Sequence, residues 1–365
     1  MRLGLAYNQR PDSATESAQK LSDPTKSPAT DDAYVEWDEP TTIQAVARAL
    51  RIFGNVVLLE AVGDFPARLA ASRVDLLFNM AEGHSGPNRE AHVPAIAEFL
   101  GLRYTGSDPL TLAVALHKAR TKEILAQRGV PTAPFVLIER VDDLGLLRRG
   151  NIYPAFLKPV WEGSSKGISQ DNYVETPKAA MERAAFLLER YRQPVLAEAY
   201  LAGHEFTVAI LGNDPAPRCL PTIRYRFDGL PPGSLPIMGY EAKWLWDVPE
   251  SPLDVLECPA PIPDALDRGI QYVALAAYRA IGCRDWARVD VRLDAYGAPH
   301  VIEVNPLPGI IPDLTANSCF PNAAHAAGMG YDELIQTVTR IAWRRLTGLE
   351  LEARAPRRSL AGAAS

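Results

Sequence analysis

Cysteine is scarce and scattered. Cys219, Cys258, Cys283 and Cys319 are the only four in 365 residues, and none forms a C-x-x-C pair. A disulfide framework and a cysteine-based zinc site are therefore excluded, and a reducing, cytoplasmic setting is expected. Long apolar runs are missing too; none approaches the roughly 18 residues of a membrane span. Met1–Tyr7 is apolar but stops at Asn8-Gln9-Arg10-Pro11, which is too short for a signal peptide and reads as a first strand. There is no cationic excess: 38 Lys+Arg against 44 Asp+Glu give a net charge of −6. That argues against nucleic acid or a membrane surface as partner, yet permits a phosphate ligand, which needs only local positive charge. The six histidines contain no i,i+4 pair for a metal, and no G-x-x-x-x-G-K-[ST] loop occurs. Only His84, by its loop position, is a candidate to line a site.

What remains is an ordinary globular composition, 47% apolar and 22% charged, long enough for two or three domains. The first 110 residues alternate strand and helix. Arg2–Tyr7, Asn55–Ala61 and Val74–Met80 have strand length, and Ile43, Val46, Ala47 and Leu50 recur at helical spacing within Thr41–Phe53. Such alternation predicts a parallel, doubly wound sheet. Residues 9–33, rich in Ser, Thr, Asp and Pro, read as a loop, either solvated or ordered over a ligand. A long helix is expected from Ser107-Asp108-Pro109 to the stop at Gly129-Val130-Pro131. Further strands are expected at Ala155–Lys158, Val195–Tyr200 and Glu205–Leu211, and a helix between Pro177 and Tyr191. A Pro- and Gly-rich stretch, 212–263, looks like loops around short strands. A helix over 264–281, a hairpin at 286–305 and a closing helix near 331–347 complete the pattern.

Three stretches carry chemistry. In the hairpin, strand alternation sets Arg288, Asp290 and Arg292 against Val289, Val291 and Leu293. The return strand sets Glu303 and Asn305 against Ile302 and Val304. If the strands pair, Arg288, Asp290, Glu303 and Asn305 share one surface, and their hard oxygen ligands suit Mg²⁺ beside a polyphosphate. An amphipathic hairpin with a solvated polar face fits the same pattern. The second stretch is Lys158-Pro159-Val160-Trp161-Glu162-Gly163-Ser164-Ser165-Lys166-Gly167, a lysine at a strand end followed by a Gly/Ser turn whose N–H groups can wrap phosphates. An ordinary turn is the alternative. The third is Glu198-Ala199-Tyr200-Leu201 with Gly203-His204-Glu205, which could read an adenine edge and a ribose diol or be surface acids at strand ends.

Taken together and in this order, these stretches resemble the ATP-grasp fold, and within it the D-alanine–D-alanine ligase family. The resemblance covers Val74 to about Arg345. Its matches include Phe78-Asn79, Tyr104-Thr105-Gly106-Ser107, Lys118 with Lys122, Lys158-Pro159 with Glu162-Gly163-Ser164-Ser165, Glu198 with Glu205-Phe206-Thr207-Val208, Tyr240-Glu241-Ala242-Lys243, Arg288-Val289-Asp290, and Glu303-Val304-Asn305 with Pro308-Gly309. It implies an α/β chain with an N-terminal parallel-sheet domain (1–115), a central lid subdomain (116–212) and a C-terminal ATP-grasp subdomain (213–350); the Ala-, Arg-, Ser- and Pro-rich tail, 353–365, is expected to be disordered from its composition. The resemblance implies ATP contacts from Lys118, Lys158, Glu162, Ser165, Glu198, Tyr200, Leu201 and Glu205. Mg²⁺, with Mn²⁺ allowed, would sit on Asp290, Glu303 and Asn305. Arg288, Ser164 and Lys243 would be catalytic, with Ser164 and Lys243 on loops closing the site.

The chain departs from the family pattern where substrate is bound. The usual His-Gly and acidic Gly-rich turn is replaced by Ala81-Glu82-Gly83-His84-Ser85-Gly86-Pro87-Asn88-Arg89-Glu90, and the Gly-rich loop after the first strand by Asn8-Gln9-Arg10-Pro11. A closing-loop tyrosine becomes Trp244, and Ile310 to Asn317 are extra residues before Ser318. Glu82, Arg89, Tyr240, Trp244, Gly309 and Ser318 are therefore the candidate substrate residues. The implied activity is an ATP-dependent carboxylate–amine ligase acting through an acyl phosphate on small-molecule substrates, with a homodimer allowed. D-alanine–D-alanine ligase itself and a non-catalytic ATP-binding protein are the alternatives. The departures lead to the expectation that D-alanine alone is a poor substrate pair.

Overall fold

In the computed structural model of the chain, the described residues are 1–11, 34, 36–239, 241–242, 246 and 253–353. Most of the 9–33 loop, Tyr240, Lys243, Trp244 and the tail from 354 on lie outside them.

Strand β1 (Arg2–Tyr7) carries apolar side chains on both faces, as a strand covered on both sides must. It lies between β2 (Asn55–Glu60) and β3 (Leu76–Asn79), parallel to both. Helices α1 (Pro40–Leu50) and α2 (Phe65–Ser72) connect these strands, and α1 buries Ile43, Val46, Ala47 and Leu50, the face expected from their spacing. Helix α3 (His92–Phe99) follows.

The helix expected over 107–131 is two helices. Asp108 caps α4 (Pro109–Leu116) through Thr111 N. The chain then breaks at His117 (φ −88°, ψ 88°), whose Nδ1 accepts from Arg120 N and caps α5 (Lys118–Gln127). Capping by a histidine where an apolar helix meets a basic one is invisible to periodicity. The break has a use, since Lys118 N donates to Val160 O at 3.2 Å and ties the start of α5 to the Gly/Ser turn.

A four-stranded antiparallel sheet follows, in the order β4 (Phe135–Ile138), β7 (Val195–Ala199), β5 (Ala155–Pro159), β6 (Tyr173–Val174). Helix α6 (Pro177–Tyr191), capped by Thr176 and opened by proline, packs on it through Ala180, Ala184 and Leu187.

The largest sheet runs β11 (Leu256–Glu257), β10 (Ile223–Tyr225), β8 (Glu205–Leu211), β12 (Trp286–Leu293), β13 (Pro299–Asn305), with β9 (Arg218–Cys219) beside β8. Helix α7 (Asp264–Ile281) covers one face with Ile270, Val273, Ala274, Ala277 and Tyr278. Helices α8 (Cys319–Ala326) and α9 (Tyr331–Thr347) lie toward the N-terminal sheet. Trp286, fully buried, joins the two parts edge-on, its ring 5.7 Å from Phe78 and 5.6 Å from Phe320. Among the described residues, no helix is long and apolar enough to cross a membrane.

Candidate active site

The β12–β13 hairpin pairs Arg288 with Asn305 and Asp290 with Glu303, which puts all four on one surface as the alternation requires. The register then slips. Asp290 faces Glu303 but Val291 faces Val301, so Ile302 is an extra residue on β13. Val301, rather than Ile302, joins Val304 in the core, and Ile302 turns into the cleft. The expectation that Ile302 shares the apolar face is corrected by this bulge.

A cavity of about 680 Å³ opens between the four-stranded sheet and the largest sheet. It is lined by Lys118, Lys158, Glu162, Ser164, Ser165, Glu198, Tyr200, Leu201, Glu205, Arg288, Asp290, Glu303, Asn305, Gly309 and Ser318. Glu82 also lines it. Arg89 stands behind the wall, joined to Glu36 of the lining. Every described candidate thus gathers at one place.

Three buried lysines are held by carboxylates. Glu198 accepts Lys158 Nζ at 2.6 Å on one oxygen and Lys122 Nζ at 2.8 Å on the other. Burial alone would raise this carboxyl, but Lys122 and Lys158 outweigh it and hold Glu198 down at about 2. Lys122 itself is lowered by burial, which Glu198 only partly offsets, and it also donates to Thr132 Oγ1 at 2.7 Å. Lys118 Nζ meets Glu303 Oε1 at 2.8 Å and bonds to Glu162 O. Although burial pushes Glu303 up, Lys118 and Lys158 keep it below the usual carboxylate range.

Beside them, Asp290 Oδ2 takes Arg288 at 3.2 Å and the Asn305 amide at 3.1 Å. Its other oxygen, Oδ1, is buried and makes no hydrogen bond of normal geometry, although the Thr207 hydroxyl on β8 lies close enough to favour its charge; burial raises the group despite Arg288. An unsatisfied buried carboxylate oxygen next to Glu303 and an amide is what a hard divalent cation would complete. No group of three or more His, Cys, Asp or Glu side chains is placed to hold a metal ion among the described residues, so such an ion would rest on two carboxylates and an amide.

The Gly/Ser turn is held over the cavity from several sides. Ser164 (φ 47°) and Ser165 (φ 64°) both adopt the left-handed region, which costs of order 1–3 kcal/mol each and persists only where the surroundings enforce it. Ser165 Oγ donates to Met238 O at 2.6 Å, and Gly163 N donates to Glu36 Oε1 at 2.9 Å. Glu36 also receives Arg89 NH2 through both oxygens, at 2.8 and 2.9 Å, while Arg89 NH1 donates to Trp161 O at 2.7 Å. Glu162 is fixed by Gln193 at 2.6 Å and Lys166 at 3.1 Å. The 82–90 loop is pinned at Gly83, which accepts from Trp37 Nε1 and donates to Asn8 Oδ1. With φ at +80°, a side chain there would put its Cβ 2.3 Å from Arg89 O, so only glycine fits.

Arg292 ties β12 to the segment between β7 and β8. It donates to Leu201 O at 2.7 Å, Glu205 Oε2 at 2.8 Å and Tyr200 OH at 2.9 Å, and lies over the Tyr200 ring. Ser318 Oγ accepts from Ile311 N at 3.1 Å and so draws the extra residues 310–317 back onto the cavity rim. Sequence reasoning assigned no role to Glu36, Arg292 or Gln193. Arg292 alternates with Asp290 on β12 and could have been found; Glu36 lies in a polar stretch with no periodic signal.

A small antiparallel sheet and a larger one enclosing a lysine- and carboxylate-lined cleft make this an ATP-grasp fold. The crystal structure of D-alanine–D-alanine ligase from Bacillus anthracis complexed with ATP matches it with a TM-score of 0.67 at 21% identity, covering 94% of this chain and 98% of that one. The family model for the D-ala D-ala ligase C-terminus matches residues 124–340. The D-alanine–D-alanine ligase of Bordetella pertussis is 36% identical over 268 residues, 73% of this chain and 78% of that protein. An uncharacterized protein of Sinorhizobium fredii, y4sG, is 33% identical over 326 residues, 86% of this chain and 90% of that protein. The chain belongs to the D-alanine–D-alanine ligase family.

Proposed function

We propose that the protein is an ATP- and Mg²⁺-dependent ligase that joins the carboxylate of an amino acid or related acid to an amine, releasing ADP and phosphate. The observation that carries this reading is the convergence on one cavity of Lys118, Lys158, Arg288, Asp290, Glu303 and Asn305, with Asp290 Oδ1 buried and without a hydrogen bond of normal geometry.

Lys118 and Lys158 would hold the phosphates, and the Glu198 carboxylate would aim Lys158 while the backbone at Tyr200 and Leu201, between β7 and β8, meets the adenine. Glu205, held by Arg292, would take the ribose. Glu162 and Ser165 would shape the turn around the phosphates. A Mg²⁺ bound by Asp290, Glu303 and Asn305 would screen phosphate charge. The acid's carboxylate oxygen attacks the γ-phosphorus, the bond to the bridging oxygen breaks, and ADP leaves. The amine then attacks the acyl-phosphate carbonyl, and phosphate departs with the proton lost from the amine. Arg288, always cationic, would stabilise the oxyanion of that second step. The Ser164 turn would exclude water that otherwise hydrolyses the acyl phosphate. Lys243 and Trp244 would belong to a second closing loop, with Tyr240, Gly309 and Ser318 near the substrates.

The names of relatives such as the Bordetella pertussis enzyme favour a second reading, D-alanine–D-alanine ligase itself. A screen of D- and L-amino acids, singly and in pairs, for ADP release tests both. Release with amino-acid pairs supports the ligase, release with D-alanine alone supports the second reading, and its absence with every pair would overturn both.

A further inference from the structure

Two segments, the one before α1 and the 82–90 loop, line the cavity with Glu36, Asp38, Glu82 and Glu90. Among the described residues, little positive charge answers them. Arg89 is buried and committed to Glu36 and to Trp161 O. Arg10, the other cation on this wall, reaches Glu39 at 3.5 Å near the surface. His84 is exposed and lies against the Trp37 ring. The side chains of Asp38, Glu82 and Glu90 have no hydrogen bond or ion pair among the described residues.

Glu90 is the most telling of the three. It is only 9% exposed, faces the cavity, and has no partner among the described residues. It feels both Arg89 and the Lys118–Glu303 pair, so it stands between the Glu36–Arg89 clamp and the reacting end. Burial and neighbouring acids raise Asp38 and Glu82 well above the usual carboxylate range, and raise Glu90 to about 7 despite Arg89. Buried acids without cations are unfavourable in a free protein and accumulate at binding sites.

A neutral-side-chain amino acid brings one ammonium, and the attacking amine must be uncharged. One ammonium leaves most of this wall unanswered. Building on the ligase reading of the cavity, we infer that one of the two substrates carries a second cationic group, as a basic amino acid or a diamine does, received by Glu82, Glu90 and Asp38. The wall then serves as a specificity device, since a neutral analogue would leave the buried Glu90 and the half-buried Asp38 and Glu82 without a cation.

The test is calorimetric binding to the full chain with a non-hydrolysable ATP analogue, run beside ADP release. The ligands are the D and L forms of 2,4-diaminobutyrate, ornithine, lysine and arginine, the matching diamines, and the neutral isosteres norvaline, norleucine, 2-aminoheptanoate and citrulline. At least one cationic ligand should bind tenfold or more tightly than its isostere. Glu82→Gln and Glu90→Gln should each weaken that ligand about tenfold and leave the isostere nearly unchanged. Equal binding of isosteres across the panel would overturn the inference, and needs no variant to read. So would a cationic preference that survives in both variants. ADP release with neutral amino acids alone would overturn the inference and leave the ligase reading intact, whereas tight cationic binding without ADP release would do the reverse.

Discussion

Glu198 offers the sharpest energetic test, because it holds two buried lysines with one carboxylate. Its oxygens meet Lys158 and Lys122 at 2.6 and 2.8 Å, and its side chain is only 8% exposed. The folded protein holds it at about 2, against an ordinary value of 4.5. At 1.36 kcal/mol per pKa unit, that difference is about 3 kcal/mol of stability at neutral pH. The folded value is depressed, so the contribution is present above pH 4.5 and is lost as pH falls toward 2. Glu198→Gln removes the charge and strands two buried ammonium groups, a loss of about 3–5 kcal/mol for a broken buried pair. Thermal unfolding at pH 7 should therefore drop by roughly 4–7 °C for a chain of this size. Repeated at lower pH, the gap between the two proteins should narrow below pH 4.5, as the wild-type carboxylate takes up its proton. A variant that melts within about 1 °C of wild type at pH 7, or a gap that widens on acidification, would refute the reasoning.

Glu303→Gln should lower turnover a hundredfold or more, because it weakens both the proposed metal site and the Lys118 contact; wild-type ADP release would sink the metal assignment. Lys158→Ala should raise the ATP KM and lower kcat together, and unchanged nucleotide kinetics would make its segment an ordinary turn. Glu36→Gln should loosen the hold on Gly163 and Arg89, so ATP hydrolysis without amide formation should rise severalfold; unaltered coupling would detach Glu36 from loop closure. D-alanine as sole amino acid should react with kcat/KM below about 10⁴ M⁻¹s⁻¹, and a value above that would return the protein to D-alanyl-D-alanine synthesis.

The elements legible in the sequence are those with a long period or a clear cap. The helices at Pro177–Tyr191 and Tyr331–Thr347 sit where apolar spacing and end signals put them. The four polar residues of the 286–305 hairpin could be read as one surface because strand alternation is local. What escaped depends on contacts distant in the chain. The break at His117 replaces one helix by two and leaves no trace in periodicity. The bulge that sends Ile302 into the cavity follows from how β13 meets β12, which Ile302 and its neighbours do not encode alone. Glu36 acquires its role from Arg89, 53 residues on, and Gly163, 127 residues on. The short helices Phe65–Ser72, His92–Phe99 and Cys319–Ala326 were missed because eight residues barely complete two periods.

The central claim, activation of a carboxylate as an acyl phosphate, is tested most directly by following oxygen. The amino acid giving the fastest amine-dependent ADP release is supplied with its carboxylate enriched in ¹⁸O, and the released phosphate is analysed by mass. An acyl phosphate carries one carboxylate oxygen into phosphate when the amine displaces it. The account predicts one ¹⁸O in each product phosphate, in step with amide formed; unlabelled phosphate released along with amide would contradict it.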